Sequence, residues 1–197
     1  MRAGYGMSRG KVEDCVAVIG LGYVGMPVAL EAVRVGLPVI GFDVSETVVG
    51  GLNAGVSHID DLTDEDVQFM LSKGFRALSD AAALSDAAVV VICVPTPLDK
   101  DLGPNLEAVE AAGRSVAANL RAGQLIVLES TSYPGTTEEV LQPILESSGL
   151  KAGEDFALAY SPERIDPGND AFQLRNTPKV VGGLSAECTR QAADFYR

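Results

Sequence analysis

The sequence predicts an α/β protein built on a doubly wound parallel sheet, and three observations support this. Short β-branched segments of strand length alternate with helix-forming segments along the chain. Residues 88–94 form an almost purely apolar run, as expected for a strand buried on both faces of a parallel sheet. Glycines at the turn over residues 20–25 join the first strand directly to the first helix. Right-handed crossovers between such units place helices on both faces of the sheet.

The ends of the first predicted helices are marked by residues with well-known preferences. Gly36 ends the first helix, because glycine readily adopts the left-handed conformation of a C-terminal cap. Ser45 and Thr63 begin the next two helices, because their hydroxyl groups accept hydrogen bonds from first-turn N–H groups. The strands predicted in this half are 15–19, 39–42, 75–78 and 88–94. The helices predicted in this half are 24–35, 46–53, 64–72 and 80–84.

The second half continues the alternation after a proline-rich strand end. Thr136 or Thr137 is expected to cap a helix that runs to about residue 147. Ser185 is expected to cap a final helix that is still running at Arg197. The other predicted elements here are a helix at 106–119 and strands at 124–128, 157–160 and 180–181.

Composition and charge exclude several classes of function. The formal net charge is −12, from 15 basic and 27 acidic residues, which does not suit a nucleic-acid partner. The apolar runs are of strand length and no signal peptide precedes them, so we expect no membrane partner and a cytoplasmic location. Cys15, Cys93, Cys188 and the single histidine lack the spacing of a disulfide framework or a metal site, so no metal is expected.

The first strand leads into Gly-x-Gly-x-x-Gly, the turn of a dinucleotide-binding site. Gly20 would make the tight turn, Gly22 would let a pyrophosphate approach the backbone, and Gly25 would let the helix pack closely. The helix N-terminus would then offer N–H groups to the phosphates. Asp43 follows at the end of the second strand and would accept hydrogen bonds from the adenosine ribose. Its charge would repel the 2′-phosphate of NADP, so NAD is the expected cofactor.

Later strand ends carry hydroxyl and charged side chains, and ligands of open parallel sheets bind at the carboxyl ends of the strands. Thr96 could donate to a phosphate or to the nicotinamide ribose. Thr131 could hydrogen-bond a substrate hydroxyl, a water molecule or the nicotinamide carboxamide. Glu163 could act as a general acid or base, and Arg164 could bind a phosphate or carboxylate.

Plainer explanations exist for the same residues. Asp43 could only cap the next helix, and Thr96 could only belong to a rigid proline turn. Residues 162–164 could form an exposed turn with a surface ion pair. His58 is expected to be a loop or packing residue. Cys93 lies inside a predicted strand and is expected to be a small buried apolar residue rather than a nucleophile.

Six stretches together resemble one known family. They are Gly-Leu-Gly-Tyr-Val-Gly-Met-Pro at 20–27, Gly-Phe-Asp-Val at 41–44, Leu-Asn-Ala-Gly and Ser-His-Ile within 52–59, Val-Pro-Thr-Pro-Leu at 94–98, Leu-Glu-Ser-Thr-Ser-Tyr-Pro-Gly-Thr-Thr at 128–137 and Ser-Pro-Glu-Arg-Ile-Asp-Pro-Gly-Asn at 161–169. In this order they resemble the N-terminal part of the UDP-glucose/GDP-mannose dehydrogenase family, and most closely its bacterial UDP-N-acetylglucosamine and UDP-N-acetylmannosamine 6-dehydrogenases. The resemblance covers roughly residues 12–197.

The resemblance implies a Rossmann-like NAD-binding domain of a nucleotide-sugar 6-dehydrogenase. Such enzymes oxidise the C6 hydroxyl of a UDP-N-acetylhexosamine to a carboxylate with two NAD, through a thiohemiacetal and a thioester on a cysteine. The resemblance also implies a UDP-sugar substrate and a homodimer of the full-length protein. The implied catalytic residues are Thr131 and Glu163. The implied substrate-binding residues are Glu163, Arg164 and Ile165. The implied NAD-binding residues are Gly20, Gly22, Tyr23, Val24, Gly25, Asp43, Pro95, Thr96 and Thr131.

Two positions depart from the family pattern. Pro167 stands where glucose-type members often carry a second glutamate, which favours the amino-sugar branch. Val48 stands where many members carry a cation near the adenosine, so NAD affinity would depend more on Asp43 and the glycine turn.

The family's nucleophilic cysteine belongs to a C-terminal half, and we assign that role to none of the three cysteines. We therefore expect a flexible tail at 1–11, an NAD-binding domain at 12–184, and the start of a helix at 185–197 that leads to an absent C-terminal domain. The chain alone is expected to be inactive. A β-hydroxyacid dehydrogenase-type NAD domain and a non-catalytic NAD-sensing module remain alternatives.

Overall fold

A seven-stranded sheet organises the computed structural model, which describes residues 15–98, 100, 103–163 and 177–197. Its strands are β1 (Val16–Ile19), β2 (Val39–Phe42), β3 (Arg76–Leu78), β4 (Val89–Ile92), β5 (Leu125–Leu128), β6 (Ala157–Tyr160) and β7 (Gly182–Gly183). Their spatial order is β3-β2-β1-β4-β5-β6-β7. Strands β1 to β6 pair in parallel, and β7 pairs with β6 in the antiparallel sense.

Helices cover both faces of this sheet. They are α1 (Gly25–Arg34), α2 (Glu46–Asn53), α3 (Asp64–Ser72), α4 (Glu107–Ala117), α5 (Gln142–Glu146) and α6 (Ala186–Phe195), with a 3₁₀ turn at Ala81–Asp86 and a π-helical turn at Thr136–Leu141. Alternate residues of β1 pack on opposite faces of the sheet. Val16 and Val18 join the apolar cluster under α1, α3 and α6. Ala17 and Ile19 join the cluster under α4 and α5. The doubly wound α/β architecture predicted from the sequence is confirmed.

Strand order reverses between β1 and β4. From β1 the chain proceeds through β2 to β3 on one side, and then returns to β4, β5 and β6 on the other. The loops that leave β1 and β4 therefore diverge at their carboxyl ends and open a crevice between them. This crevice is where an open α/β sheet binds its ligand.

Most predicted element boundaries agree with the structure, including the caps. Ser45 Oγ accepts from Val48 N–H at 3.3 Å at the start of α2. Thr63 and Asp66 form a reciprocal capping box at the start of α3. The predicted left-handed Gly36 has φ +87°. Neighbouring residues therefore account for these helix ends.

Three expectations were wrong. Neither Thr136 nor Thr137 caps a helix, because Gly135 (φ +99°) starts the segment and the Thr136 hydroxyl donates to the Tyr133 carbonyl. The last strand is Gly182–Gly183 rather than 180–181, and it is antiparallel. Helix α6 ends at Phe195 instead of running to Arg197. The tail predicted at residues 1–11 lies outside the described residues.

Within the described part of the chain, no helix combines the length and the apolar character needed to cross a lipid bilayer.

The capping box predicts a measurable stability difference between two threonines. Thr63→Ala removes both hydrogen bonds of the threonine hydroxyl, which accepts from Asp66 N–H and donates to the Asp66 carboxylate, and should lower the free energy of unfolding by about 1 kcal/mol. Thr137→Ala removes no capping bond and should change it by less than about 0.5 kcal/mol. Urea denaturation followed by circular dichroism measures both. Equal losses in the two variants would contradict the assignment.

Candidate functional site

The glycine turn after β1 contains two glycines that the fold requires and one that it does not. Gly20 has φ +88°, and a Cβ there would lie 2.7 Å from the Cys93 carbonyl oxygen. A Cβ on Gly25 would collide with the Gly20 carbonyl oxygen. A Cβ on Gly22 would meet nothing within 4 Å. Gly20 and Gly25 are therefore needed for folding, whereas a side chain at position 22 would contact no other part of the described chain.

Helix α1 begins without any group to neutralise its N-terminus. No side chain caps it and no acidic residue lies in its first turn. By contrast, α2, α3, α4 and α6 all carry acidic side chains in the first turn. The uncapped N–H groups and the helix dipole leave α1 with a partial positive charge that suits a phosphate.

Asp43 connects the glycine turn to α2 through its carboxylate. Its Oδ2 accepts from Leu21 N–H and its Oδ1 accepts from Ser45 N–H, both at 2.9 Å. The N-terminal cap of α2 is Ser45, so Asp43 is not merely that cap. The carboxylate lies where β2 ends, beside the turn that follows β1.

A cavity of about 630 Å³ lies at this edge of the sheet. It extends from the glycine turn and Asp43, past the residues after β4, to Ser130 and Thr131 after β5. The predicted NAD-binding residues that line it are Gly20, Gly22, Tyr23, Val24, Asp43, Pro95, Thr96 and Thr131. Gly25 lies beneath the turn and contributes through packing instead. The structure thus brings together residues that are more than 100 positions apart in the sequence.

One face of α4 forms the opposite wall of the cavity, and the sequence reasoning missed it. The residues are Ala108, Ala111, Ala112 and Ser115. Their spacing of three, four and seven residues places them on one side of a helix. Small side chains at that spacing were the sequence signal that could have predicted this wall. Because they are small, they leave the cavity wide.

The cavity has little charge of its own. Among the described residues that line it, Asp43 is the only carboxylate and none is Lys or Arg. His58 also lines it, although it was expected to be a loop or packing residue. Phosphate binding here must therefore rely on backbone N–H groups rather than on a basic cluster.

Glu129 is a fully buried carboxylate at the end of β5, and it was not predicted as a site residue. Lys179 Nζ donates to its Oε1, and the Tyr196 hydroxyl donates to its Oε2 at 2.5 Å. Burial raises the pKa of Glu129, while the charge and hydrogen bond of Lys179 lower it. The Tyr196 pKa is raised, first by burial and then by Glu129. Lys179 and Tyr196 lie 50 and 67 residues from Glu129 in the sequence, so no local signal could have identified this cluster of three side chains.

The structure places Thr131 and Glu163 differently. Thr131 is exposed and lines the cavity, whereas Glu163 is not among the described residues that line it. Burial is the largest cause of the raised pKa of both Cys93 and Glu129, and the charge of Glu163 raises both pKa values further. Arg164 and Ile165 lie outside the described residues.

All three cysteines are buried, with exposures of 6% for Cys15, 6% for Cys93 and 2% for Cys188. Cys93 lines the cavity with its small exposed fraction. Burial also raises the pKa of Cys15. A protonated, buried thiol is a poor nucleophile, so Cys93 has the character of a small apolar residue predicted from its place in the strand.

Comparison with known proteins identifies the family. The model of the UDP-glucose/GDP-mannose dehydrogenase family, NAD binding domain, matches residues 14–197. The UDP-N-acetyl-D-mannosamine dehydrogenase of Pyrococcus horikoshii is 37% identical over 184 residues, which are 92% of this chain and 44% of that protein. The UDP-N-acetyl-D-glucosamine 6-dehydrogenase of Pseudomonas aeruginosa is 36% identical over 92% of this chain and 43% of its own length. The chain thus spans less than half the length of these curated relatives.

Solved structures agree with the sequence relatives. The structure of UDP-D-ManNAc dehydrogenase from Pyrococcus horikoshii superposes with a TM-score of 0.88 at 37% identity, over 93% of this chain and 44% of that chain. A ternary complex of GDP-mannose dehydrogenase from Pseudomonas aeruginosa superposes with a TM-score of 0.84 at 31% identity, over 92% of this chain and 44% of that one. The Rossmann-like fold and the cofactor class predicted from the glycine turn are confirmed. The chain belongs to the UDP-glucose/GDP-mannose dehydrogenase family and is an NAD-binding domain of that family.

Proposed function

We propose that the cavity binds NAD with its adenosine half at Asp43, its pyrophosphate at the glycine turn and its nicotinamide half at Thr96 and Thr131. The observation that carries this proposal is the open space at Gly22, three residues before the uncapped start of α1. A pyrophosphate there would meet free N–H groups and a favourable dipole. Tyr23 and Val24 belong to the same turn and line the same cavity.

The adenosine end fits a ribose with free hydroxyl groups. Each Asp43 oxygen already accepts one N–H group, and a carboxylate has about four acceptor sites. About two sites therefore remain for the ribose hydroxyls. Val44 and Val48 line this region of the cavity and bring no cation that would offset a 2′-phosphate. The charge of Asp43 thus favours NAD over NADP.

The nicotinamide end lies on the far side of the strand-order reversal. Thr96 follows β4, and Thr131 follows β5. The Ser130 hydroxyl donates to the Val94 carbonyl at 2.7 Å and ties these two strand ends together. Both threonine side chains border the same space, so both are available to hydrogen-bond the nicotinamide half.

We further propose that the chain serves an enzyme that oxidises the C6 hydroxyl of a UDP-N-acetylhexosamine to the carboxylate. The relatives named above support this substrate class. NAD, when bound, supplies the hydride acceptor. Thr131 would orient the reacting groups beside the cofactor, and Glu163 would assist proton transfer. The same proposal includes Arg164 and Ile165 as sugar-nucleotide contacts, a homodimer and a cytoplasmic location.

None of the three cysteines serves as the covalent nucleophile in this proposal. Their burial and the raised pKa of Cys93 and Cys15 support this assignment. The chain by itself therefore binds the cofactor without completing the oxidation.

Two glycine substitutions separate cofactor binding from folding. Gly22→Ala adds a methyl group to space that the chain leaves open, so it should fold normally but bind NAD about tenfold more weakly or worse. Gly25→Ala places its methyl group against the Gly20 carbonyl and should destabilise folding by about 1–3 kcal/mol. Calorimetric titration and thermal unfolding measure the two effects. Unchanged NAD affinity in a folded Gly22→Ala variant would overturn the placement of the pyrophosphate.

The cysteine assignment predicts slow thiol chemistry and no turnover. The native chain should react slowly with Ellman's reagent at pH 7.5 and still at pH 9, because Cys93 stays buried and protonated. All three thiols should react rapidly in urea. The pKa of Cys93 is higher in the folded state than in the unfolded state. The stability that the protonated thiol contributes is therefore fully present below the unfolded-state pKa, and it is lost as the pH rises through the folded-state pKa.

The matching activity assay follows NADH absorbance. The chain alone, supplied with NAD and UDP-N-acetylglucosamine or UDP-N-acetylmannosamine, should form no NADH above background. Steady NADH production would show that one of its own cysteines, or another route, completes the reaction.

A further inference from the structure

We infer that Glu129, Lys179 and Tyr196 form a positioning unit that fixes Thr131 at the nicotinamide end of the cavity. The inference rests on the proposed placement of NAD and deepens it. It assigns to residues outside the cavity a role in holding one half of the cofactor, and it links that half to the end of α6.

The chain connects the buried carboxylate directly to the cavity wall. Glu129 is the first residue after β5, and its N–H donates to the Ile92 carbonyl at 2.8 Å. Ser130 comes next and donates to the Val94 carbonyl at 2.7 Å. Thr131 follows at the cavity. The place of Thr131 is therefore set by two consecutive anchored residues, one of which is Glu129.

Both oxygens of the Glu129 side chain are engaged, and each by a different element. Lys179 precedes β7 and Tyr196 follows α6. Lys179 Nζ also lies 4.9 Å from the centre of the Tyr196 ring, so the three side chains contact one another. The Lys179 side chain is 10% exposed and that of Glu129 is 0% exposed. Such a cluster allows Glu129 few alternative positions.

A buried ion pair of this kind contributes more to geometry than to stability. The cost of removing two charges from water offsets much of their attraction, so apolar side chains of similar size often stabilise a fold as well. The carboxylate oxygens of Glu129 are fixed by directional hydrogen bonds, which apolar packing would not supply. The cluster therefore constrains where the Ser130–Thr131 turn lies.

The cluster also borders a second space. Ser130 and Thr131, which follow Glu129 in the chain, line the main cavity. Lys179 and Tyr196 line a second cavity of about 410 Å³ between α1 and the end of α6. A change at the end of α6 would thus reach Thr131 through a single carboxylate.

Binding of two ligands to the 197-residue chain tests the inference. NADH carries the nicotinamide half, and ADP-ribose carries only the half that binds at Asp43 and the glycine turn. Tyr196→Phe removes one hydrogen bond and keeps the Lys179 pair, so folding should be retained. We expect it to weaken NADH binding about fivefold or more while ADP-ribose binding changes less than about twofold. Lys179→Met should have a larger effect of the same kind, and Lys179→Arg should restore part of the NADH affinity.

Lys73→Met is the matched control for Lys179→Met, because Lys73 is exposed after α3 and its ammonium group lies over the Phe69 ring rather than against any residue of the cluster. It should leave both affinities unchanged. The fluorescence of bound NADH, which reports on the environment of the nicotinamide ring, should shift in Tyr196→Phe but not in the control. Equal weakening of NADH and ADP-ribose together with a lower Tm would show a merely structural role and overturn the inference. Unchanged NADH binding and fluorescence in Tyr196→Phe would overturn it as well.

If the unmodified chain binds neither NADH nor ADP-ribose, the placement of the cofactor is wrong. If the unmodified chain binds both ligands, and both Lys179 variants bind each ligand as tightly as the unmodified chain does, only the positioning unit is wrong.

Discussion

The constraint on which the rest of the site depends is the tight turn between the first strand and the first helix. A side chain at position 25 would overlap the carbonyl group of Gly20, so α1 can approach the end of β1 this closely only with glycine there. That approach directs the start of α1, with its uncapped N–H groups, towards the carboxyl ends of the strands. The position of the anion-binding end thus follows from a packing requirement rather than from any charged residue, in a chain of net charge −12.

The remainder of the cavity is fixed by hydrogen bonds between neighbouring strand ends. Asp43 holds the turn after β1 to the start of α2, and Ser130 holds the turn after β5 to the end of β4. Glu129 adds a buried ionic contact to the far side of the same edge. Asp43 therefore acts on one side of the strand-order reversal, Ser130 and Glu129 act on the other, and the cavity lies between them.

The sequence was sufficient for most features that neighbouring residues determine, although the predicted cap at Thr136 or Thr137 was wrong. The capping residues Ser45 and Thr63, the glycine turn and the apolar strands could all be inferred from neighbouring residues. It was insufficient where contacts are distant. Two glycines at 182–183 have no strand preference and form β7 only because they pair with β6. Glu129 acquires its partners through the folded topology, and the small face of α4 acquires a role only when a cavity lies opposite it.

Both edges of the sheet end in very short strands. Strand β3 has three residues and β7 has two, and they are the outermost strands of the order described above. A longer edge would present a row of unpaired N–H and C=O groups that could template another chain. The four-residue apolar strands of this sheet, which are otherwise well suited to intermolecular β-pairing, are all interior. The fold therefore combines a highly apolar parallel sheet with edges that offer an aggregating neighbour little to pair with.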